Sequence, residues 1–301
     1  MIRMLGMSFL ALVIAAVIGL ADDSPVLTGA YLGQTPPGRF PRLFAPGIVS
    51  VRANFEHSAA VFSPDGSEVF WVTNVNRITD PPGEGLRLYF MRRVDGIWTA
   101  PEIAPFALDF TQPVERPCFS PDGTKLYFET SRIPDRESDA DIYVVERRGD
   151  GWSEPTPVSP LINTTAIERI HCITADGSMI FTRNLMTPRE AVYISHFVDG
   201  AFTETEELGK DFNSEAIELA IALSADESYA LFATSRTGRE DELYVGYKMP
   251  DGSWSERVKA PYSCGGFLAL SPDEEYVFFL GEGIFWVDAS FVEELKPEHL
   301  R

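Results

Sequence analysis

Val61-Phe62-Ser63-Pro64-Asp65-Gly66, followed by Val69-Phe70-Trp71, is the stretch of sequence that decides the fold. An apolar strand runs into a tight turn and straight out into a second apolar strand. Turns of this kind recur along the chain, and their aspartates are Asp65, Asp122, Asp176, Asp226 and Asp273. Repeats of about 40–50 residues that hold several short strands are typical of β-propeller blades. The five repeats therefore predict five blades.

Each repeat contains enough residues for four antiparallel strands. The second strand is apolar at consecutive positions, as in Leu126-Tyr127-Phe128, which indicates a strand that is covered on both faces. The third strand is followed by Asp-Gly, which predicts a two-residue hairpin because both central residues of such a turn can take positive φ. These pairs are Asp95-Gly96, Asp150-Gly151, Asp199-Gly200 and Asp251-Gly252.

The last repeat lacks its fourth strand, and a matching strand stands at the other end of the chain. The segment from Phe40 to Ala45 resembles the fourth-strand segment from Trp98 to Pro105. We therefore predict an all-β fold, a five-bladed β-propeller with four-stranded blades, closed by an N-terminal strand that completes the last blade. A sixth blade built from residues 22–39 is the alternative, but residues 31–38 are typical of a loop.

The first residues have the features of a signal peptide. Arg3 precedes an apolar run from Phe9 to Leu20, and Gly19 and Ala21 are the small residues of a cleavage site. A single membrane anchor is the alternative, but the run is shorter than the about 20 apolar residues of a spanning helix. We therefore predict export to the periplasm or the extracellular space, with no membrane span in the mature chain.

The predicted organisation has four parts. These are a signal peptide at 1–21, a linker at 22–39, the propeller at 40–289 and a short C-terminal helix or tail at 290–301. Ser290 and Glu293 predict a capping box at the start of that helix, and Pro297 predicts its end.

Composition narrows the choice of partners. The chain has 25 Lys and Arg against 45 Asp and Glu, and its net charge of −20 repels the phosphates of nucleic acids. A protein or a carbohydrate is therefore the expected ligand. We expect the protein itself to be a monomer. Three cysteines are an odd number, and we expect Cys118 and Cys172 to be core residues rather than a disulfide. Since no phosphate loop or metal-ligand spacing is present, we predict no cofactor and no metal.

The chain resembles the TolB-type WD40-like propeller repeat, whose mark is Phe-Ser-Pro-Asp-Gly followed by an apolar strand. The best copies end at Gly66 and Gly123, and Asp141-Ile142-Tyr143 matches the third-strand signature. The resemblance extends from about Phe40 to Asp288. It implies an envelope-located propeller that often binds proteins or sugars, and its motifs are specific for the fold rather than for a chemistry. The role of TolB itself does not carry over, because five repeats and no preceding domain are found here.

The candidate site lies at one end of the predicted channel. The long connections, 73–85 and 130–140, are expected on one face, and insertions on one face of a repeat protein usually mark its binding face. At or just before the first strands on that face stand Glu56-His57, Glu115-Arg116, Glu168-Arg169 and Glu218. These residues predict a polar ligand site at the channel mouth, and Gly265-Gly266 leave space beside it. A ring of structural salt bridges is the alternative.

Four further arginines begin the connections between second and third strands. Arg77, Arg132, Arg183 and Arg236 are expected to pair with acidic residues of the blades, and anion binding is the alternative.

Two functions fit these features. One is a non-catalytic module that binds a protein or glycan; the other is a glycoside hydrolase-like enzyme that uses carboxylates at the channel mouth. Inverting hydrolysis requires two carboxyls about 6.5–9.5 Å apart, one with a raised pKa. Glu115 and Glu168 are the candidates, but Arg116 and Arg169 lie beside them in sequence and would lower both pKa values if they form ion pairs, which leaves no obvious proton donor. We therefore favour the binding module and predict no catalytic residue.

Overall fold

The computed structural model describes residues 26–74, 85–108, 112–131, 140–184, 190–235 and 241–301. The predicted signal peptide, most of the two long connections, and Arg77, Arg132 and Arg236 lie outside these residues. The described residues form five small antiparallel sheets in a ring, which confirms the five-bladed β-propeller. Among them, no helix is long and apolar enough to cross a membrane.

The strands follow the predicted repeat. The first blade comes after β1 (Arg42–Leu43) and contains β2 (Phe55–Glu56), β3 (Val61–Phe62), β4 (Glu68–Asn74), β5 (Arg87–Val94), β6 (Ile97–Trp98) and β7 (Glu102–Ile103). The second blade contains β8 (Val114–Phe119), β9 (Lys125–Ser131), β10 (Ala140–Arg148), β11 (Gly151–Trp152) and β12 (Thr156–Pro157). The third contains β13 (Ile167–Ile173), β14 (Met179–Asn184), β15 (Ala191–Val198) and β16 (Ala201–Glu207).

The last two blades complete the ring. The fourth contains β17 (Ile217–Leu223), β18 (Tyr229–Ser235), β19 (Glu242–Tyr247) and β20 (Val258–Ser263). The fifth contains β21 (Leu268–Leu270), β22 (Tyr276–Leu280), β23 (Ile284–Asp288) and β1. Short 3-10 turns occur at Ala30–Gly33, Pro105–Ala107 and Glu298–Leu300, and the helix α1 spans Phe291–Leu295. The first strands of neighbouring blades contact one another around the central channel.

The turns between first and second strands share one hydrogen bond. In each, a Ser or Thr hydroxyl donates to the aspartate two residues later, at 2.6–2.9 Å. The next residue has positive φ, and it is glycine in three blades but Glu227 and Glu274 in the last two. Each of these glutamates accepts a hydrogen bond from the turn of the preceding blade, at the backbone N–H of Ala175 and Ala225 respectively. These contacts offset the strain of positive φ at a residue with a Cβ.

The predicted hairpins are confirmed in two blades and wrong in two. Asp95-Gly96 and Asp199-Gly200 form two-residue turns with positive φ at both positions. In the second blade Arg148 pairs with Gly151, so the turn is Gly149-Asp150 and Gly149 supplies the positive φ at its first position.

In the fourth blade the turn is longer than the predicted Asp251-Gly252. Lys248 pairs with Trp254 in an isolated bridge. Pro250 lies between them and has no N–H to continue a ladder.

The ring closes as the displaced strand predicts. Arg42 pairs with Trp286 and Leu43 with Phe285, which makes β1 the fourth strand of the fifth blade. The next residue, Phe44, donates its N–H to Ile284 O and is fully buried. Its ring lies 5.0 Å from that of Phe278 in the fifth blade and 5.9 Å from that of Phe62 in the first. Burial of this aromatic side chain therefore ties the two ends of the ring together.

The C-terminal helix forms without the predicted capping box. Ser290 has helical φ and ψ and its side chain caps nothing, whereas a capping residue must be extended to reach the first free N–H groups. Its own N–H donates to Asp288 Oδ1 at 2.8 Å. The helix ends at Leu295, two residues before Pro297.

Candidate functional site

Three of the predicted site residues are buried carboxylates that hold the loop before their own strand. Glu56, Glu168 and Glu218 are 6%, 0% and 6% exposed. Each accepts a backbone N–H from that loop, at Val51, Thr164 and Ser214 respectively. The first strand therefore begins with an acid that satisfies loop donors, because a buried backbone N–H needs an acceptor.

Two of these carboxylates also pair with an arginine of their own blade. Arg183 donates to Glu168 at 3.0 Å, which confirms the predicted pairing of this arginine with a blade acid. Arg257 donates to both oxygens of Glu218 at 2.9 Å. Burial raises the pKa of Glu168 although Thr164 and Arg183 donate to it. The expected lowering of that pKa by Arg169 is therefore wrong.

In the second blade the glutamate stands one residue later along the first strand than in the first, third and fourth blades. Glu56 pairs across the sheet with Thr73, whereas the residue that pairs with the equivalent Thr130 is the buried Val114. Glu115 is consequently aligned with the half-buried His57 rather than with Glu56. The structure thus brings Glu115 to the channel side, together with the residues that follow each buried acid.

A charged cluster occupies this end of the channel. His57 Nδ1 lies 2.9 Å from Glu115 Oε1, although the ring N–H is not aligned with the carboxylate as in a hydrogen bond. Arg169 lies 3.2 Å from Glu190. These four side chains are 21–36% exposed, so they face both the protein and the solvent. The His57 ring also stacks on Phe55 at 5.6 Å.

Arg116 crosses the channel beneath this cluster. It lies at a bulge in β8 and has φ 49, an uncommon conformation for a residue with a long side chain. Its Nη1 donates to Leu219 O of the fourth blade at 3.0 Å, and its guanidinium lies 4.5 Å from the ring of Phe267 near the fifth. The side chain is 14% exposed and reaches from the second blade to the fourth below the mouth.

Glu129 is the functional candidate that sequence reasoning missed. It lies on β9 opposite Glu115, is 2% exposed, and accepts the N–H of Ile170 at 2.7 Å. Its Oε1 is 3.5 Å from Arg116 Nε. A carboxylate inside the apolar run Leu126-Tyr127-Phe128-Glu129 was the available signal, because ionisable residues are almost never fully buried without a reason.

The two opposed carboxyls have pKa values displaced in opposite directions. Burial raises the pKa of Glu129 to about 8, and the charge of Glu115 adds to that effect while Arg116 opposes it. For Glu115 burial also acts to raise the pKa, but His57, Arg116 and Arg169 outweigh it and the pKa is lowered. At neutral pH the pair formed by Glu115 and Glu129 thus contains one ionised and one protonated carboxyl group.

The described part of the chain contains neither a candidate metal site nor a disulfide. Within those residues, no group of three His, Cys, Asp or Glu side chains could hold a metal ion. Cys118, Cys172 and Cys264 are free thiols, and the last two are buried. Burial raises the pKa of Cys118 to about 12, so it is a poor nucleophile at neutral pH.

These observations define a five-bladed β-propeller with a charged channel mouth, and comparisons with known proteins agree on the fold. A chain of a nidogen–laminin complex is similar over 85% of this chain and 88% of its own, with a TM-score of 0.52 and 12% identity. A protein of unknown function from Dyadobacter fermentans is similar over 83% and 82%, with a TM-score of 0.50 and 12% identity. Likeness at such identity shows the fold alone.

A TolB protein is also among the similar structures. The putative TolB from Agrobacterium tumefaciens aligns over 74% of this chain and 68% of its own, with a TM-score of 0.48 and 19% identity. The propeller fold that the resemblance to the TolB-type repeat implied is shown by the sheets of the described residues. No family model matches the chain, and no curated protein matches its sequence.

Proposed function

We propose that the protein is an exported, non-catalytic binding module that takes a protein or glycan ligand at the channel mouth and the long-loop face. The observation that carries this proposal is the convergence of His57, Glu115 and Arg169 at one end of the channel. Their side chains are partly exposed and of both charge signs, so they offer donors and acceptors to a polar ligand. The half-buried Phe55, which stacks on His57, supplies an apolar face on which a sugar ring or an aliphatic side chain can pack.

Two features of the cluster favour a ligand over a purely structural role. The strained φ of Arg116 costs free energy, and such strain concentrates at functional sites. In addition, the purely structural acids of this protein, Glu56, Glu168 and Glu218, are buried and satisfied by loop donors, whereas Glu115 is 27% exposed. In this proposal the buried acids position the loops that surround the site, and the exposed groups contact the ligand.

A glycoside hydrolase-like activity is the second candidate, and the opposed pKa values of Glu115 and Glu129 are what favour it. The burial of Glu129 argues against it. A general acid must reach within about 3 Å of the leaving oxygen, and the side chain of Glu129 is 3% exposed with Ile170 N–H on one of its oxygens. Binding without turnover is therefore the better-supported function.

The test is a binding screen of the purified protein against a glycan panel and against envelope proteins, with turnover of each glycoside followed in parallel. Glu115→Gln and Arg169→Gln are expected to weaken binding of any ligand found by roughly tenfold or more, the loss of one charged hydrogen bond. The matched control is Glu146→Gln, which removes an exposed carboxylate paired with Arg148 on the same blade.

Two results would contradict the proposal. Binding that survives both Glu115→Gln and Arg169→Gln would move the site away from the channel mouth. Turnover of a glycoside that Glu115→Gln or Glu129→Gln abolishes would establish the hydrolase instead.

A further inference from the structure

The channel has a second opening, at the face of the Ser-Pro-Asp turns, opposite the charged mouth. A funnel of about 310 Å³ opens there, which lies at the lower end of the size range of small-molecule pockets. The second residues of the five turns surround it, namely Pro64, Pro121, Ala175, Ala225 and Pro272. Val61, Cys118, Leu223 and Leu270 continue the apolar wall inward.

The side-chain hydroxyl and carboxylate groups around the funnel are already engaged, whereas Nδ1 of His171 at its inner end has no hydrogen-bond partner among the described residues. The hydroxyls of Ser120, Ser224 and Ser271 each donate to the aspartate of their own turn. The carboxylate of Glu274 accepts the N–H of Ala225. An occupant therefore meets an apolar wall without losing hydrogen bonds to it, which favours an apolar molecular body.

The inner end of the funnel is chemically different. A void of about 30 Å³ adjoins it, and both share Val61, Cys118 and His171 in their walls. Arg116 and Phe267 line only the void and end it. Its volume is about that of one water molecule in the liquid, which is enough for a small polar group but not for an apolar chain.

The charge at this inner end is positive. Burial, Arg116 and Arg169 together lower the pKa of His171 to about 3, so the imidazole stays neutral beside the arginines. Glu129, the carboxyl nearest to Arg116, has a pKa of about 8 and is mainly protonated at neutral pH. The guanidinium of Arg116 is thus a largely buried cation at the end of the void that adjoins the apolar funnel.

We propose that the funnel binds a small apolar monocarboxylate, with its apolar body between the turn prolines and its carboxylate in the void against Arg116. The funnel supplies the hydrophobic contribution, which is proportional to the apolar area removed from water. The arginine supplies a charge-assisted hydrogen bond that a neutral molecule of the same shape cannot make. This site is separate from the one at the channel mouth, because Arg116 and Phe267 stand between them.

Calorimetric titration with decanoate and with decan-1-ol tests both parts of this site. Wild-type protein is expected to bind decanoate roughly ten- to a hundredfold more tightly than the alcohol, the range for one hydrogen bond to a charged group. Arg116→Gln should reduce that difference to less than about threefold and leave the alcohol unaffected. Leu223→Trp fills the funnel and should abolish binding of both probes.

The control for the filled funnel is Ile217→Trp. Ile217 begins the same strand, β17, but is 45% exposed at the opposite face. Ile217→Trp should therefore leave the affinities for decanoate and decan-1-ol unchanged. Thermal unfolding of every variant identifies any that fails to fold, and Leu223→Trp keeps the site testable if Arg116→Gln does not fold.

Three results would overturn the proposal. These are no binding of either probe to the wild type, equal affinity of the wild type for the acid and the alcohol, and binding that a folded Leu223→Trp variant retains. Loss of decanoate binding in a folded Leu223→Trp variant would support the proposal, whatever ligand the charged mouth binds.

Discussion

The buried carboxyl of Glu129 makes the stability of the propeller depend on pH, and Glu129→Gln removes that dependence. The folded protein keeps the proton on Glu129 until about pH 8, because burial and Glu115 penalise its ionised form. In the unfolded chain the same group ionises near pH 4.5. The amide of glutamine keeps an oxygen for the N–H of Ile170 but carries no charge at any pH.

The sign and size of the effect follow from proton linkage. Between pH 4.5 and about 8 the unfolded chain has lost the proton that the folded protein retains. The free energy of unfolding therefore falls as pH rises through this window and levels off above it. A pKa difference of this size corresponds to about 5 kcal/mol for the complete titration, a large part of the stability of a typical domain.

The assay is urea unfolding followed by tryptophan fluorescence, at half-unit intervals from pH 4.5 to about pH 9. The variant should gain stability relative to the wild type across this range, by about 5 kcal/mol at the alkaline end. Asp122→Asn is the control of opposite sign, because hydrogen bonds from Ser120 and Thr124 lower the pKa of Asp122. Its wild-type carboxylate stabilises the fold above the unfolded pKa of 3.8, so across the assay range Asp122→Asn should lose stability by an amount that hardly changes with pH. Parallel pH profiles for wild type and Glu129→Gln would refute the reasoning.

Three further predictions concern the scaffold. Phe44→Ala should cost about 3–5 kcal/mol of unfolding free energy in a urea titration, whereas Phe40→Ala, at a side chain 82% exposed, should cost almost nothing. Equal effects would contradict closure through Phe44. Glu168→Ala should also cost about 3–5 kcal/mol, because it leaves a buried arginine unpaired, against less than about 1 kcal/mol for Glu146→Ala at the surface. Ellman's reagent at pH 8 should modify the thiols of the folded protein slowly, including Cys118, and all three rapidly in urea; rapid labelling of the folded protein would contradict the burial.

The fold could be predicted because its determinants are local and repeated. The hydroxyl-to-aspartate bond of each turn needs only residues two positions apart, so the motif at Ser63 and Asp65 is visible in the sequence. The closing strand was visible too, since Phe40 to Ala45 has the pattern of a fourth strand and the last repeat lacks one. The hairpin at Asp150-Gly151 was misplaced because Gly149 offered a second glycine that fits the first turn position equally well.

The site was predicted in part, and its errors have two physical origins. In the second blade Val114 takes the position of Glu56, so Glu115 stands one residue further along the strand, and a one-residue shift exchanges the two faces of a strand. Bulges also occur in β13 and β17, so the face of each acid cannot be assigned by counting alternate residues back from the turn, and buried acids and channel-facing residues were placed in one ring. Glu168 was assigned to Arg169, its neighbour in sequence, whereas its partner across the sheet is Arg183.

The pairing of β1 with β23 also determines the order in which the molecule can be assembled. Its two strands are the first and the last of the propeller, so the contact Arg42–Trp286 spans almost the whole chain and pays the largest loop-closure entropy. A chain that is synthesised or delivered N-terminus first can build its earlier blades, but it must hold Phe44 unburied until Ile284–Asp288 arrives. Pairing of β1 with β23 is then the step that completes the fold. The helix α1 follows β23 in the chain, and its Phe291 packs against Tyr262 of the fourth blade at 5.2 Å, so it can dock as soon as the ring has closed.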